Sequence, residues 1–104
     1  EKNSDTRIWI AVDNTDYVLG TLLLRFDQDH LNEQTNAHVE LLAVCEQAEG
    51  NGVASRLLEM AEAETRKQQA FSLSLNVFSN NVRARSLYRK FGFDEEMIRC
   101  IKRF

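Results

Sequence analysis

Alternating apolar and polar side chains dominate the first half of the chain and predict strands. Residues 7–12 place Ile or Val at every second position, which is the period of a strand with one buried face. Residues 17–26 form a second aliphatic run, so the two runs predict an antiparallel hairpin with Gly20 as a candidate bulge. A polar loop at 27–35 leads to residues 37–45, which are apolar at nearly every position. That pattern predicts a central strand covered on both faces.

The spacing of apolar residues changes in the second half of the chain. Residues 53–69 repeat them every three or four positions, which predicts a helix with one buried stripe. The stripe consists of Ala54, Leu57, Leu58 and Ala61. On the polar side, Glu62 and Arg66 stand four residues apart, in the order that favours a helical ion pair. Residues 71–78 return to alternation and predict a strand whose Ser and Asn positions form a polar face.

Capping signals frame a second helix. Asn80 or Asn81 is a candidate N-cap, and Gly92 is a natural left-handed stop. A final strand-like run within residues 93–104, around Met97 to Ile101, predicts a closing strand. The predicted order is strand, strand, strand, helix, strand, helix, strand, which indicates one α/β domain over residues 1–104. Its sheet should be mixed, because strands joined by a helical crossover run parallel whereas the opening hairpin is antiparallel.

Composition excludes several classes of function. The 104 residues carry 13 Lys and Arg against 16 Asp and Glu, a formal net charge of −3, so the chain lacks the basic excess of a nucleic-acid-binding domain. The longest apolar run falls far short of the ~20 residues of a membrane span. Cys45 and Cys100 stand outside any Cys/His cluster, which argues against a zinc site. With no disulfide framework and no leader-like segment, the expected location is cytoplasmic.

Two glycines, Gly50 and Gly52, lie between the third strand and the first helix. Glycine lets main-chain N–H groups approach a ligand closely, and a helix N-terminus adds unpaired donors and the positive end of its dipole. The loop is therefore suited to an anion such as a diphosphate. No lysine follows the second glycine, and the third glycine of a dinucleotide fingerprint is missing, so neither nucleotide-binding motif matches. A tight connection between strand and helix explains the same glycines.

Four short, separate motifs follow one another along the chain. They are Leu-Ala-Val at 42–44, Gly-Asn-Gly-Val-Ala-Ser-Arg-Leu-Leu at 50–58, Leu-Asn-Val at 75–77, and Asn81, Ala84 and Tyr88 followed by Gly-Phe at 92–93. In this order and spacing the chain resembles the GNAT-family N-acetyltransferases over nearly its whole length. The resemblance implies a GNAT-like acyl-CoA N-acyltransferase fold and acetyl-CoA as the acetyl donor. It also implies an acceptor that is a primary amine on a small molecule or a peptide and that attacks the thioester directly.

The resemblance further implies roles for individual residues. Glu40 would be the general base that deprotonates the amine, and Tyr88 the general acid that protonates the departing thiolate. Binding of CoA would fall to the end of the third strand, the glycine loop, the first helical turn and the second helix. These positions are Leu42, Val44, Glu49, Gly50, Asn51, Gly52, Val53, Ala54, Ser55, Asn81 and Tyr88. No metal is implied.

Most of these roles have a structural rival. Pairing of Glu40 with a buried arginine or with His38 competes with its role as a base. Tyr88 lies on an apolar stripe, as core residues do, and helix capping explains Asn81 equally well. Glu49 stands where the family usually has Arg or Gln, so a carboxylate would flank the diphosphate.

The resemblance is incomplete at both ends of the chain. Family members usually begin with another strand and one or two helices that form much of the acceptor wall, and they end on two strands rather than one. The expectation is therefore a minimal member or a piece of a larger enzyme, with a sheet edge that a second copy could cover in a homodimer. Arg85 is a further candidate for phosphate contact. The alternative function is a non-catalytic CoA-binding or dimerisation module.

Overall fold

The structure is a computed structural model that describes residues 4–104. Its strands are β1 (Ser4–Val12), β2 (Val18–Gln28), β3 (Thr35–Val44) and β4 (Ser72–Leu75), and its helices are α1 (Val53–Lys67) and α2 (Val82–Lys90). The strands form one sheet in the order β1-β2-β3-β4. The pairs β1/β2 and β2/β3 are antiparallel, whereas β3 and β4, which α1 connects, are parallel. The predicted hairpin and the predicted mixed sheet are confirmed.

One face of the sheet packs on α1 and forms the core. Along β2 every second side chain from Leu22 to Phe26 is buried, and these side chains meet the apolar stripe of α1. The core cluster consists of Leu22, Leu24, Phe26, Ala37, Val39, Leu57, Leu58 and Ala61. An ion pair between Arg7 and Glu64 joins β1 to the same helix. The polar side of α1 carries the predicted pair of Glu62 and Arg66 at 2.8 Å.

Gly20 allows α1 to begin close to the sheet. A Cβ atom at this position would lie 2.9 Å from the carbonyl oxygen of Ala43 and 3.0 Å from Cγ1 of Val53. The predicted bulge falls one residue earlier, because Ala11 pairs with Gly20 and Val12 with Val18, which leaves Leu19 as the extra residue. The glycine therefore provides room for the start of the helix, next to the loop that carries Gly50 and Gly52.

The prediction that β3 is covered on both faces is wrong for the described residues. Val39 is 6% exposed on the α1 side, whereas Leu41 is 49% exposed. A bulge explains the misleading sequence pattern: Leu24 pairs with Val39 and Leu23 with Leu41, so Glu40 is an extra residue. The unbroken apolar run of β3 therefore divides between two faces, and among the described residues the outer face carries no helix.

The predicted closing strand at 93–104 is also wrong, since residues 93–104 form neither a helix nor a strand. Met97 and Ile98 are 91% and 90% exposed, so the apolar side chains of this segment do not pack against the described sheet or helices. Neither helix in the described part of the chain has the length and apolar character that crossing a bilayer requires. Within the same residues, no three His, Cys, Asp or Glu side chains come together as a metal site would need.

Candidate functional site

The candidate site lies where β3 and β4 part. Their parallel pairing runs only from Asn36 with Ser72 to Val39 with Leu75. Beyond that point β3 continues to Val44 with β2 on one side, and β4 has ended. Among residues 4–104, the main chain of residues 40–44 is thus left without a strand partner on its second side. Leu42 and Val44, two predicted binding residues, lie in this open stretch and are half-buried.

The glycine loop follows directly from the end of β3. A short 3₁₀ turn, Glu46–Ala48, anchors its start because Ala48 is 4% exposed. Gly50 and Gly52 then adopt φ angles of +84° and +82°, in the left-handed region that favours glycine. The predicted start of the helix is confirmed, because Gly52 is the N-cap of α1 and Val53 its first residue.

The opening turn of α1 is suited to an anion. Gly52 offers no side chain to cap the helix, and the first turn contains no acidic residue. The amides of this turn therefore lack the partners that side chains usually supply, and they carry the positive end of the helix dipole. Gly50 and Gly52 are exposed, and a Cβ atom at Gly52 would meet nothing within 4 Å. This open cradle fits a phosphate group, whereas the exposed carboxylates of Glu46 and Glu49 flank it.

A cation from α2 lies beside this loop. A Cβ atom on Gly50 would lie 3.3 Å from Nη2 of Arg83, so the guanidinium reaches the glycine main chain from the neighbouring helix. Arg83 is exposed, and it has no ion pair among the described residues. The sequence analysis singled out Arg85 on this helix and not Arg83. The sequence could have indicated Arg83, because it follows the predicted Asn81 cap by two residues and so lies in the first turn of α2.

Glu40 sits at the bulge of β3 and is paired with a cation. Its Oε2 forms an ion pair with Arg25 of β2, and the Arg25 Nε donates to Asp27 at 2.6 Å. The predicted rival role, a pair with an arginine, is therefore present, although Arg25 is 37% exposed rather than buried. Glu40 itself faces solvent next to the open stretch of β3. The sequence contained no sign of Arg25 as its partner, since the cross-strand register at a bulge is not readable from one strand.

His38 lies on the same side of the sheet and contacts β4. Its Nδ1 is 2.7 Å from Oγ of Ser74, the residue opposite it in the parallel pair. Burial lowers the pKa of His38 from its ordinary 6.5; the positive charge of Arg25 lowers it further, and Asp27 partly offsets both effects. The neutral imidazole is therefore the form that the fold favours.

The depressed pKa of His38 predicts a loss of stability in mild acid. The unfolded chain binds the proton more readily than the folded chain, so stability is full above about pH 6.5 and falls as the pH drops toward the pKa of the folded state. Urea midpoints measured from pH 7.5 to 5.0 should fall for the wild type and change less for His38→Gln. His30→Gln, in the exposed loop after β2, is the matched control and should keep the wild-type slope. Equal slopes for wild type and His38→Gln would contradict the prediction.

Tyr88 is held by the C-terminal cap of α2. The helix ends in a Schellman motif, in which the amide of Phe93 donates to the Tyr88 carbonyl at 3.0 Å and the amide of Gly92 donates to that of Arg89 at 3.0 Å. Gly92 has φ +93°, as predicted for the stop residue. The Phe93 ring packs edge-on against the Tyr88 ring with centroids 6.0 Å apart. Burial raises the pKa of the Tyr88 phenol above its ordinary value of 10, so the hydroxyl stays protonated near neutral pH.

The start of α2 holds two more predicted residues. Asn81 is the N-cap, and its Oδ1 accepts a hydrogen bond from the Ala84 amide at 3.1 Å, so the capping prediction is confirmed. Arg85 is committed elsewhere, because its Nε and Nη2 donate to the two carboxylate oxygens of Glu95 at 2.8 and 2.9 Å. Its Nη1 donates to the Ser79 carbonyl at 2.7 Å. These bonds leave Arg83, rather than Arg85, as the arginine directed at the loop.

Comparison with known proteins identifies the arrangement. The model of the acetyltransferase (GNAT) family matches residues 1–93. Among curated protein sequences no significant match is found. Many solved structures share the fold.

Three solved structures illustrate the likeness. A Pyrococcus furiosus protein described as an acetyl transferase is 22% identical, with a TM-score of 0.86 over 96% of this chain and 66% of its own. A mutant of the BH1408 protein from Bacillus halodurans is 18% identical, with a TM-score of 0.86 over 100% of this chain and 67% of its own. Glucosamine-6-phosphate N-acetyltransferase from Arabidopsis thaliana is 19% identical, with a TM-score of 0.83 over 96% of this chain and 67% of its own. The chain thus spans about two thirds of the length of these structures.

Proposed function

Since the chain belongs to the acetyltransferase (GNAT) family, we propose that it binds acetyl-CoA at the glycine loop and transfers the acetyl group to a primary amine. The reaction forms an amide bond between the amine nitrogen and the acetyl carbon and breaks the thioester C–S bond. One proton leaves the amine, and one proton or hydrogen bond reaches the departing thiolate. The acceptor is proposed as a small molecule or a peptide with a free amine.

The observation that carries the proposal is the uncapped, exposed start of α1. Main-chain amides at Gly52, Val53, Ala54 and Ser55 would receive the diphosphate, because no side chain of the N-cap residue occupies them. The pantetheine arm would then follow the open stretch of β3 past Val44 and Leu42, in the gap that β4 leaves. Asn81, whose Oδ1 caps α2, would use its amide nitrogen toward the same arm.

We assign the two catalytic roles to Glu40 and Tyr88. Glu40 would accept a proton from the acceptor's ammonium group, directly or through a water, so that the neutral amine can attack, while Arg25 holds one carboxylate oxygen in place. A base is needed because an amine of lysine type has an ordinary pKa near 10.4 and is mostly protonated at neutral pH. Tyr88 would donate to the leaving sulfur, since its phenol stays protonated. Main-chain N–H groups of residues 42–44 would stabilise the developing oxyanion.

A specific observation keeps the second function open. Glu40 is already paired with Arg25, which would make it a weaker base. Glu46 and Glu49 flank the loop, and their negative charges would lower its affinity for a diphosphate. A protein that binds CoA without transferring acetyl groups would have the same loop. Thiol release from acetyl-CoA with a panel of amines distinguishes the two functions. A rate that never exceeds the protein-free rate, together with measurable CoA binding, would favour the non-catalytic module.

Ser55→Glu tests where the cofactor binds. Ser55 lies in the first turn of α1, where an added carboxylate suits the helix dipole and should not lower stability. The same charge repels a diphosphate at the loop, so calorimetry should show CoA binding weakened by about tenfold or more. Ala63→Glu adds the same charge on an exposed position of the same helix and should leave affinity unchanged.

Two results would contradict the proposed site. If the wild-type chain shows no CoA binding by calorimetry, the function itself fails. If Ser55→Glu and Ala63→Glu bind CoA equally well while both remain folded, the diphosphate does not lie on the first turn of α1.

A further inference from the structure

We propose that Arg83 binds the diphosphate of the cofactor and replaces, from the second helix, the positive charge that the loop itself lacks. This inference rests on the proposed CoA site and adds a residue to it. The loop, residues 46–52, contains two carboxylates, Glu46 and Glu49, and no Lys or Arg. The loop therefore offers main-chain donors but an unfavourable side-chain charge.

Geometry singles out Arg83 as the compensating group. Its Nη2 would lie 3.3 Å from a Cβ atom on Gly50, which places the guanidinium over the loop rather than along α2. Gly50 itself is required by its φ of +84°, and the arginine terminus lies at this backbone position rather than against another side chain. A guanidinium is planar and presents paired donors, which suits a phosphate oxygen pair better than an ammonium does.

The charge of Arg83 has no structural purpose in the described part of the chain. Arg85 and Arg89 share the carboxylate of Glu95, whereas no ion pair of Arg83 occurs among residues 4–104. Arg83 is also the second residue of α2, where the helix dipole disfavours a cation. A cation at this place destabilises the empty protein slightly, and an anion bound at the loop would reverse that effect.

The test compares Arg83→Gln, Arg83→Lys and Lys90→Gln in the full chain. Calorimetry with CoA should show affinity reduced by about tenfold or more for Arg83→Gln, partly restored in Arg83→Lys, and unchanged in Lys90→Gln at the exposed far end of α2. Dephospho-CoA lacks the 3′-phosphate and keeps the diphosphate, so the same fold-loss is expected with it. Thermal unfolding without ligand should be unchanged or slightly higher for Arg83→Gln, which a merely structural arginine would not give.

Each other outcome overturns the assignment. Wild-type affinity retained in Arg83→Gln removes Arg83 from the site while the proposed function stands, since the wild type still binds CoA. A loss seen with CoA and absent with dephospho-CoA would move the contact to the 3′-phosphate. A lowered unfolding temperature without ligand, with no change in affinity, would make Arg83 a structural residue. Absence of binding in the wild type would instead reject the proposed function itself.

Discussion

Replacing Tyr88 with phenylalanine should lower the rate of thiol release from acetyl-CoA by about 100-fold, the lower range for loss of a general acid. The substitution removes the hydroxyl and keeps the ring, so the packing on Phe93 and the Schellman cap of α2 remain. CoA affinity should therefore change by less than about threefold, well under the ~1.4 kcal/mol of a tenfold effect. Steady-state thiol release with the most active amine of a panel, together with calorimetry, measures the two effects separately.

Tyr17→Phe is the matched control for this substitution. Tyr17 lies in the exposed turn before β2, far along the chain from α2, and loses the same hydroxyl. Its variant should turn over at the wild-type rate. If Tyr88→Phe does so as well, Tyr88 is a packing residue of the apolar side of α2, and the proton for the leaving thiolate comes from elsewhere.

Leu58→Ala should lower the free energy of unfolding by about 2–5 kcal/mol, the usual range for a buried leucine truncated to alanine. Leu58 is 1% exposed and lies in the core cluster between α1 and the sheet. Alanine favours the helix at least as well as leucine, so the loss comes from packing rather than from helix formation. The effect is large for a chain of this size, whose total stability is expected to be about 5–15 kcal/mol. Urea denaturation measures it.

Met60→Ala, two residues along the same helix, is the control for helix propensity and side-chain size. Met60 is 42% exposed, so its truncation should cost much less than that of Leu58. Equal losses at the two positions would mean that α1 does not pack on the sheet through the predicted stripe.

Signals within a few residues of each other were readable from the sequence. The Asn81 cap, the Gly92 stop and the Glu62 and Arg66 pair depend on contacts inside one helix, so their spacing alone identifies them. The left-handed Gly50 and Gly52 at the start of α1 belong to the same class. For this reason the positions of the two helices and of the glycine loop before α1 could be predicted from the sequence.

Features that depend on a partner strand could not be predicted from the sequence. Residues 97–101 have the apolar composition of a strand, but a strand forms only where another one pairs with it, and none does so within the described residues. The bulge at Glu40 shifts an apolar run from one face to two, which no single-strand pattern reveals. The contacts of Arg25 with Glu40 and of Arg83 with the loop join elements far apart in sequence. They depend on register and crossover geometry, which the order of residues leaves undetermined.

The exposed main-chain amides at the start of α1 have a consequence for how this loop tolerates change. Its donors belong to the backbone, so exchanging the side chain at Asn51 or Glu49 leaves every amide in place. Inserting or deleting one residue would instead change the direction in which the N–H groups point, since the left-handed φ angles of Gly50 and Gly52 determine the course of the main chain. Outside Gly50 and Gly52, the residue types of this loop are therefore expected to vary among related proteins, whereas its length stays fixed.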